Sequence, residues 1–242
     1  MEYDGSEFAG WARQPGRRTV QEEVERAFAV LLRGPVRLTV AGRTDAGVHA
    51  LGQVASYEGE PVSVRSLNAL LPPDVSVLSC VDAPAGFDAR RDATSRAYTY
   101  VLLNRRSRSA LQRGRALWWP HALDMSALDA CAAAVVGTHD FTAFTPTETG
   151  HVRFSRDVSI CRWRAHEDRR VEFWIEADAF MRHMNRVLVG TMLEVSGGRR
   201  SVSDFRALLA GRPREAAGAT APACGLYLVG VGYGGERVLS GG

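Results

Sequence analysis

The sequence predicts an α+β fold built from two successive sets of strands and helices. Amphipathic helical patterns and short strand patterns occur in both halves of the 242-residue chain. The strict strand–helix alternation of a doubly wound parallel sheet is absent. We therefore predict two similar α+β domains, over residues 1–92 and 93–242. No low-complexity linker divides them, so they are expected to pack rigidly.

The first set opens with the clearest helical pattern of the chain, at residues 19–34. Thr19 and Glu22 have the spacing of a capping box, and Gly34 is the expected end of this helix. A shorter helix at 63–71 is expected to stop before two prolines. Strands are predicted at 36–40, 53–57 and 75–83.

The second set begins with a strand at 96–104 that carries two tyrosines. Tyr98 and Tyr100 share one face of this strand, because side chains alternate between the two faces. Asp124 is a suitable N-cap for the helix that follows. The other predicted elements are strands at 158–166, 171–180 and 225–233 and helices at 124–137, 180–195 and 201–211.

The composition is that of an ordinary soluble globular protein, with 45% hydrophobic and 24% charged residues. No apolar run reaches the roughly 18 residues of a membrane span. The acidic start MEYDGSEFAG lacks the apolar core of a signal peptide. A cytoplasmic protein without membrane contact is therefore expected.

Several common site chemistries have no motif in this sequence. The four cysteines are widely spaced, which favours buried free thiols over a zinc site or a disulfide framework. The six histidines form no HxxxH or HExxH pair. No glycine-rich phosphate loop and no GxSxG elbow is present. Acid–base or covalent carboxylate chemistry is the remaining possibility.

The stretch AGRTDAGVHALGQ places a carboxylate in a glycine-flanked turn. Gly42 and Gly47 permit close approach of another surface, or a backbone conformation that other residues avoid. By residue type alone, Asp45 is most simply a turn aspartate that bonds nearby backbone amides. Arg43 would then be its solvated neighbour, and such a pair contributes almost nothing to stability.

All 30 basic residues are arginines, whose guanidinium groups match phosphate oxygens. Five of them crowd the polar stretch NRRSRSALQRGR. As an isolated charge run, this stretch is more simply a solvated loop than a binding site. Its arginines are Arg105, Arg106, Arg108, Arg113 and Arg115.

Eight segments, taken in order, resemble the motifs of the TruA-type tRNA pseudouridine synthases. The resemblance runs nearly end to end, and eight motifs in the family's order and spacing are a specific match. The segments are EYDGSEFAGW (2–11), AGRTDAGVHALGQV (41–54), NALLPPDV (68–75), FDAR (87–90), ATSRAYTY (93–100), GTHDFTAF (137–144), DAFMRHMNRVLVG (178–190) and TAPACGLYLV (220–229).

The resemblance implies an isomerase that cleaves the N1–C1′ bond of a uridine, turns the base and rejoins it through C5. The family acts on positions 38 to 40 of the tRNA anticodon stem-loop, as a homodimer and without cofactor or metal. Its fold is two α+β domains whose antiparallel sheets join around a central RNA-binding cleft. All of these properties are expectations for this chain.

The resemblance also implies roles for single residues. Asp45 matches the catalytic aspartate, whose carboxylate would attack C1′, attack C6 or remove the C2′ proton. Arg43 matches the arginine that holds the flipped-out state. Tyr98 would stack on the uracil. Arg186 would keep the carboxylate ionised and oriented.

Two of these residues have equally simple structural interpretations. By residue type alone, Tyr98 fits core packing on a strand face as well as base stacking. Arg186 fits a surface position on an amphipathic helix. Both substrate-binding roles therefore depend on the resemblance.

Three features depart from the family's pattern. The family has a strand before YDG, whereas this chain begins at Met1, so a late start codon or a shortened first strand is expected. The motif HMNRV replaces the usual HMVRN, and TPTETGHVRFSRDV (145–158) differs from the family. The exchange in HMNRV predicts a local repacking around Arg186.

Two alternative functions stay open at this point. One is a catalytically inactive RNA-binding protein of the same fold, and the other is a pseudouridine synthase with another RNA target. For an RNA-binding protein of any of these kinds, phosphate contacts dominate affinity. Arg105, Arg106 and Arg108 are therefore predicted to contact RNA.

Overall fold

The computed structural model describes residues 1–148, 150 and 152–239. Within them, helices combine with strands whose pairing is mostly antiparallel, which confirms the predicted α+β class. In chain order the elements are β1 (Glu2–Tyr3), α1 (Val20–Leu32), β2 (Thr39–Val40), β3 (His49–Ala50), β4 (Ala55–Ser56), α2 (Val64–Leu70), β5 (Val75–Ser76), β6 (Ala93–Leu103), β7 (Leu117–Trp118), α3 (Met125–Val135), β8 (Gly137–Asp140), β9 (Ser155–Ala165), β10 (Arg170–Ala177), α4 (Met184–Ser196), α5 (Val202–Leu208) and β11 (Leu226–Tyr233).

The chain forms two compact units. The first consists of Met1–Thr94 together with Tyr227–Val238, and the second consists of Ser95–Leu226 together with Leu239. Most of the last strand, β11, thus packs with the first unit, although it follows the second unit in sequence. The division into domains at residue 92 and the central cleft stay predictions.

The first unit is a small sheet with two helices. Strand β1 pairs antiparallel with β5 and with β3, and β3 pairs parallel with β11. Strands β2 and β4 form a separate antiparallel pair, and helix α1 contacts α2. The core of this unit includes Trp11, Val20, Val24 and Leu67, each at most 1% exposed. Burial of such side chains supplies most of the driving force for folding.

The second unit is built on longer strands. Strands β9 and β10 form an antiparallel hairpin around the predicted polar turn, β10 also pairs with β6, and β9 pairs with β8. Helix α3 packs on β9 and on α4. As predicted, the Asp124 carboxylate caps α3 by accepting a hydrogen bond from Ala127 N–H at 3.0 Å.

Helix α1 differs from its prediction at both ends. The Thr19 side chain makes no capping bond, so the predicted capping box is wrong. Thr19 is fully buried and its Oγ1 has no hydrogen-bond partner among the described residues, so the side chain does not bond the Glu22 amide that a capping box uses. At the other end Arg33, rather than Gly34, adopts the left-handed conformation, with φ 52°.

Candidate active site

Asp45 lies in a tight turn of the first unit. The Val48 amide donates to the Asp45 carbonyl at 3.1 Å, which closes a four-residue turn. Gly47 has φ 76° in the third position of this turn, where a positive φ favours glycine. Asp45 itself is half-buried.

The N-terminal segment clamps this turn through backbone contacts. The Trp11 amide donates to the Thr44 carbonyl at 3.0 Å, and the Gly47 amide donates to the Phe8 carbonyl at 3.3 Å. Between them, Gly10 has φ 98°, and a Cβ at this position would lie 2.8 Å from the Thr44 carbonyl oxygen and 3.1 Å from the Asp45 carbonyl carbon. Only glycine therefore allows the two segments to approach this closely.

Replacing Gly10 with alanine is expected to move the Asp45 turn. The added methyl group meets backbone atoms of Thr44 and Asp45, which cannot rotate away. We expect the rate of any reaction that uses the Asp45 carboxylate to fall about tenfold or more, because small displacements of a reacting group have large kinetic costs. Gly16→Ala is the matched control, since Gly16 also has a positive φ (68°) but nothing within 4 Å of an added Cβ. Equal rates for the two variants would contradict the claim that the close contact at Gly10 positions the Asp45 turn.

Arg43 and His49 flank the turn in different environments. Arg43 is exposed, and within the described part of the chain its guanidinium has no hydrogen-bond or ion-pair partner. His49 is 2% exposed, and its Nδ1 accepts a hydrogen bond from Gly5 N–H at 3.1 Å. The same Nδ1 lies 3.2 Å from Asp4 Oδ1. The ring stacks on Tyr227, with centroids 4.5 Å apart.

Tyr98 lies on β6 in the second unit, opposite Ile175 of β10. It is 7% exposed, and its ring meets Phe180 edge-on with centroids 5.0 Å apart. Phe180 belongs to the loop that precedes α4, where the Asp178 carboxylate accepts hydrogen bonds from Asp157 N–H (3.0 Å) and Ala179 N–H (2.8 Å). The sequence-based interpretation missed Phe180, although it lies in the motif DAFMRH.

Tyr100, on the same face of β6, supports the fold. Its ring is fully buried and its hydroxyl donates to the Pro222 carbonyl at 2.7 Å. Burial raises the pKa of this phenol well above its usual value. A Cβ on Gly225 would lie 2.7 Å from the Tyr100 ring. Tyr100 therefore anchors the segment that leads into β11.

Arg186 is the third residue of helix α4 and is half-buried. Its Nε donates to the Ala221 carbonyl at 2.7 Å, and the Ala221 amide donates back to the Arg186 carbonyl at 3.0 Å. The predicted helix began at residue 180, but His183 is left-handed, with φ 62°, and α4 begins only at Met184. Arg186 thus lies in the first turn of α4, where its positive charge interacts unfavourably with the helix dipole. Helix stability therefore does not explain an arginine at this position.

The predicted site residues are divided between the two units: Asp45 and Arg43 lie in the first, and Tyr98 and Arg186 in the second. A family model described as tRNA pseudouridine synthase matches residues 131–234. tRNA pseudouridine synthase A of Roseiflexus sp. (strain RS-1) is 43% identical over 240 residues, 96% of this chain and 88% of that protein. This chain belongs to the tRNA pseudouridine synthase A family. The similarity confirms both the predicted family and the prediction that the protein is an isomerase.

Other members of the family match equally broadly. The enzyme of Methylococcus capsulatus is 45% identical over 239 residues, 96% of this chain and 88% of that protein. The enzyme of Chromobacterium violaceum is 42% identical over 239 residues, 96% of this chain and 91% of that protein. The similarity therefore includes both the Asp45 turn and helix α4.

The HMNRV motif, which departs from the family pattern, buries a polar side chain. Asn185 is 4% exposed, and its Oδ1 has no hydrogen-bond partner in the part of the chain that the structure describes. Val187 is fully buried. A buried acceptor without a partner costs about 1–3 kcal/mol.

Asn185→Val is therefore expected to stabilise the protein. Removing the unpaired Oδ1 should raise the free energy of unfolding by about 1 kcal/mol, as measured by urea denaturation. Asn185→Ala removes the same atom but leaves a cavity, so it should gain less than valine or lose stability. A stability loss in both variants would show that Asn185 makes a favourable interaction.

In the arginine-rich loop after β6, Arg105, Arg106 and Arg108 are all exposed but differ in their hydrogen bonds. Arg105 donates from Nε to the Ser107 carbonyl (2.9 Å) and from a terminal nitrogen to the Arg108 carbonyl (3.1 Å). Its own carbonyl accepts from Trp118 Nε1 at 2.9 Å. Arg106 and Arg108 are exposed, and their guanidinium groups have no partner among the described residues. Arg105 thus shapes the loop, and the other two are free to bind.

The two buried cysteines offer no nucleophile. All four cysteines are free, and Cys131 and Cys161 are buried. Burial raises the pKa of Cys131 to about 11 and that of Cys161 well above its usual value, so both thiols stay protonated at neutral pH. Among the described residues, no group of three or more acidic, histidine or cysteine side chains is placed to hold a metal ion, and no helix has the length and apolarity of a membrane span.

Proposed function

We propose that the protein converts uridine to pseudouridine at positions 38 to 40 of the tRNA anticodon stem-loop, with Asp45 as its catalytic residue. The observation that carries this proposal is the 43% identity with a tRNA pseudouridine synthase A across 96% of the chain. The clamped, half-buried turn around Asp45 supports it, because a reacting carboxylate must be held within a narrow geometry.

The chemistry requires no group from outside the substrate. The N1–C1′ bond of uridine breaks, the uracil turns, and a C5–C1′ bond forms; C5 then loses its proton, and N1 gains one. A carboxylate at Asp45 serves as nucleophile or base in this sequence. The proton lost from C5 passes to solvent, which gives the reaction a direct readout.

Three further residues are proposed to bind the substrate nucleotide. Arg43, exposed and without a partner in the described chain, would hold the flipped-out state. Tyr98 would stack on the uracil, and base stacking on an aromatic ring contributes about 1–3 kcal/mol. Arg186 would supply the cation that orients the catalytic carboxylate. We further propose a cytoplasmic homodimer.

The proposal is tested with an unmodified tRNA transcript tritiated at uridine C5. We expect the purified protein to release tritium, and transcripts with cytidine at position 38, 39 or 40 to locate the modified sites. Release that persists after all three substitutions would indicate another RNA position. Binding of tRNA without any release would favour the inactive RNA-binding protein.

The loop arginines are expected to contribute to affinity through phosphate contacts. Arg106→Ser with Arg108→Ser should weaken tRNA binding and lower the slope of log K against log salt by about 1.5, because each phosphate contact accounts for roughly 0.7–0.9 of the slope. Arg199→Ser with Arg212→Ser is the matched control, since both arginines are exposed and lie in the same unit. An equal change of slope in both double variants would show that Arg106 and Arg108 make no specific phosphate contacts.

A further inference from the structure

A chain of buried polar groups connects the start of the protein to the Asp45 turn. Gln53, Tyr3 and Thr44 are 1%, 4% and 7% exposed, although all three carry polar side chains. Gln53 Nε2 donates to the Tyr3 hydroxyl at 3.2 Å and to the Gly42 carbonyl at 2.8 Å. The Tyr3 hydroxyl lies 2.8 Å from Thr44 Oγ1. The chain therefore contacts residues 42 and 44, immediately before Asp45.

The direction of the Gln53 hydrogen bonds follows from the donors available. The Gln53 Oε1 accepts from Val54 N–H at 3.1 Å, so the amide has one orientation, with both N–H groups donating. The Tyr3 oxygen accepts one of them, and a second hydrogen bond joins it to Thr44 Oγ1, in which either hydroxyl can be the donor. Burial raises the pKa of Tyr3 to about 12, so the phenol keeps its hydrogen throughout the physiological range.

Thr44 and Asp45 have opposite environments. Thr44 is buried and faces Tyr3, whereas Asp45 is half-buried and Arg43, on the other side, is exposed. The hydrogen bond between Tyr3 and Thr44 therefore fixes the residue that directly precedes Asp45 in the turn.

We propose that Tyr3, Thr44 and Gln53 are positioning residues for Asp45, acting through the Gln53–Tyr3–Thr44 chain of hydrogen bonds. This inference rests on the proposed catalytic role of Asp45. The backbone clamp at Gly10 packs against the backbone of Thr44 and Asp45, and the polar chain holds the Thr44 side chain. Without the chain, the turn keeps its backbone contacts but loses the bond that fixes the residue before Asp45.

The decisive experiment compares single-turnover rates and tRNA affinities of Tyr3→Phe, Thr44→Val and the double variant. Each single variant deletes one hydroxyl and nearly preserves shape. We expect each to lower the rate about tenfold to a hundredfold with unchanged tRNA affinity. The double variant should be no slower than the slower single variant, because both changes remove the same hydrogen bond.

Tyr233→Phe is the matched control for a merely structural role. The Tyr233 hydroxyl donates to the Ala89 carbonyl at 2.8 Å in the same unit, away from the turn. It should lower the melting temperature as much as Tyr3→Phe does but leave the rate unchanged. If Tyr3→Phe does not fold, the single-turnover rate of Thr44→Val tests the inference by itself.

Three outcomes would overturn the inference: unchanged rates, rate losses that multiply in the double variant, or an equal rate loss in Tyr233→Phe. A wild-type protein that releases no tritium would instead overturn the proposed function. The two failures are therefore distinguishable.

Discussion

Replacing Asp45 with asparagine is expected to abolish pseudouridine formation while the protein stays folded. Asparagine has nearly the same shape but no charge, so it can act neither as a nucleophile nor as a base. Loss of such a group typically costs at least about a thousandfold in rate. Backbone hydrogen bonds with Phe8, Trp11 and Val48 hold this turn, and the substitution leaves them in place. Tritium release from the C5-labelled transcript measures the effect.

Binding and stability measurements provide the control for this variant. Asp45→Asn should keep a melting temperature close to that of the wild type and should bind tRNA with similar affinity. Asp157→Asn, which changes a carboxylate in the second unit, should retain turnover. Turnover by a clean preparation of Asp45→Asn would falsify the catalytic assignment.

Replacing Gly190 with alanine is expected to produce the largest loss of stability. In an ordinary helix this change stabilises by about 1 kcal/mol. Here the new Cβ would lie 1.8 Å from the Ala219 carbonyl oxygen and 3.0 Å from its carbon. The clash separates α4 from the segment that carries Ala221, the hydrogen-bond partner of Arg186. We expect the free energy of unfolding to fall by about 3 kcal/mol, as measured by urea denaturation.

Gly198→Ala is the control for Gly190→Ala, because it introduces backbone strain without a steric clash. Gly198 has φ 71° but nothing within 4 Å of an added Cβ, so the variant should lose only about 1 kcal/mol. Turnover should fall in Gly190→Ala at temperatures where it is still folded, because the support of Arg186 is displaced. A Gly190→Ala protein that is more stable than the wild type would exclude the close packing of α4 against Ala219.

The local elements of this fold follow well from sequence patterns. The Asp124 cap and the β9–β10 hairpin occur where the patterns predict them. Each depends on residues close together in the chain, so propensity and spacing suffice. The same is true of the turn at Asp45, whose Gly47 adopts the left-handed conformation.

Local patterns failed where tertiary packing decided the local structure. The Thr19 capping box is absent because Thr19 is fully buried and its Oγ1 does not bond the Glu22 amide. The predicted strand at 75–83 is reduced to Val75–Ser76, the residues that pair with β1. Helix α4 starts after His183, which adopts the left-handed conformation.

The sequence by itself determined the α+β class, the family and Asp45 as the candidate catalytic residue, because these depend on motifs, their order and local periodicity. Only the tertiary structure decided how Asp45 is held. Gly10 reaches Thr44 and Asp45 across more than thirty residues, and Gln53 reaches back to Tyr3 across fifty. It also assigned Arg105 to its own loop and left Arg106 exposed. Contacts of this kind depend on how distant segments pack, which no local pattern encodes.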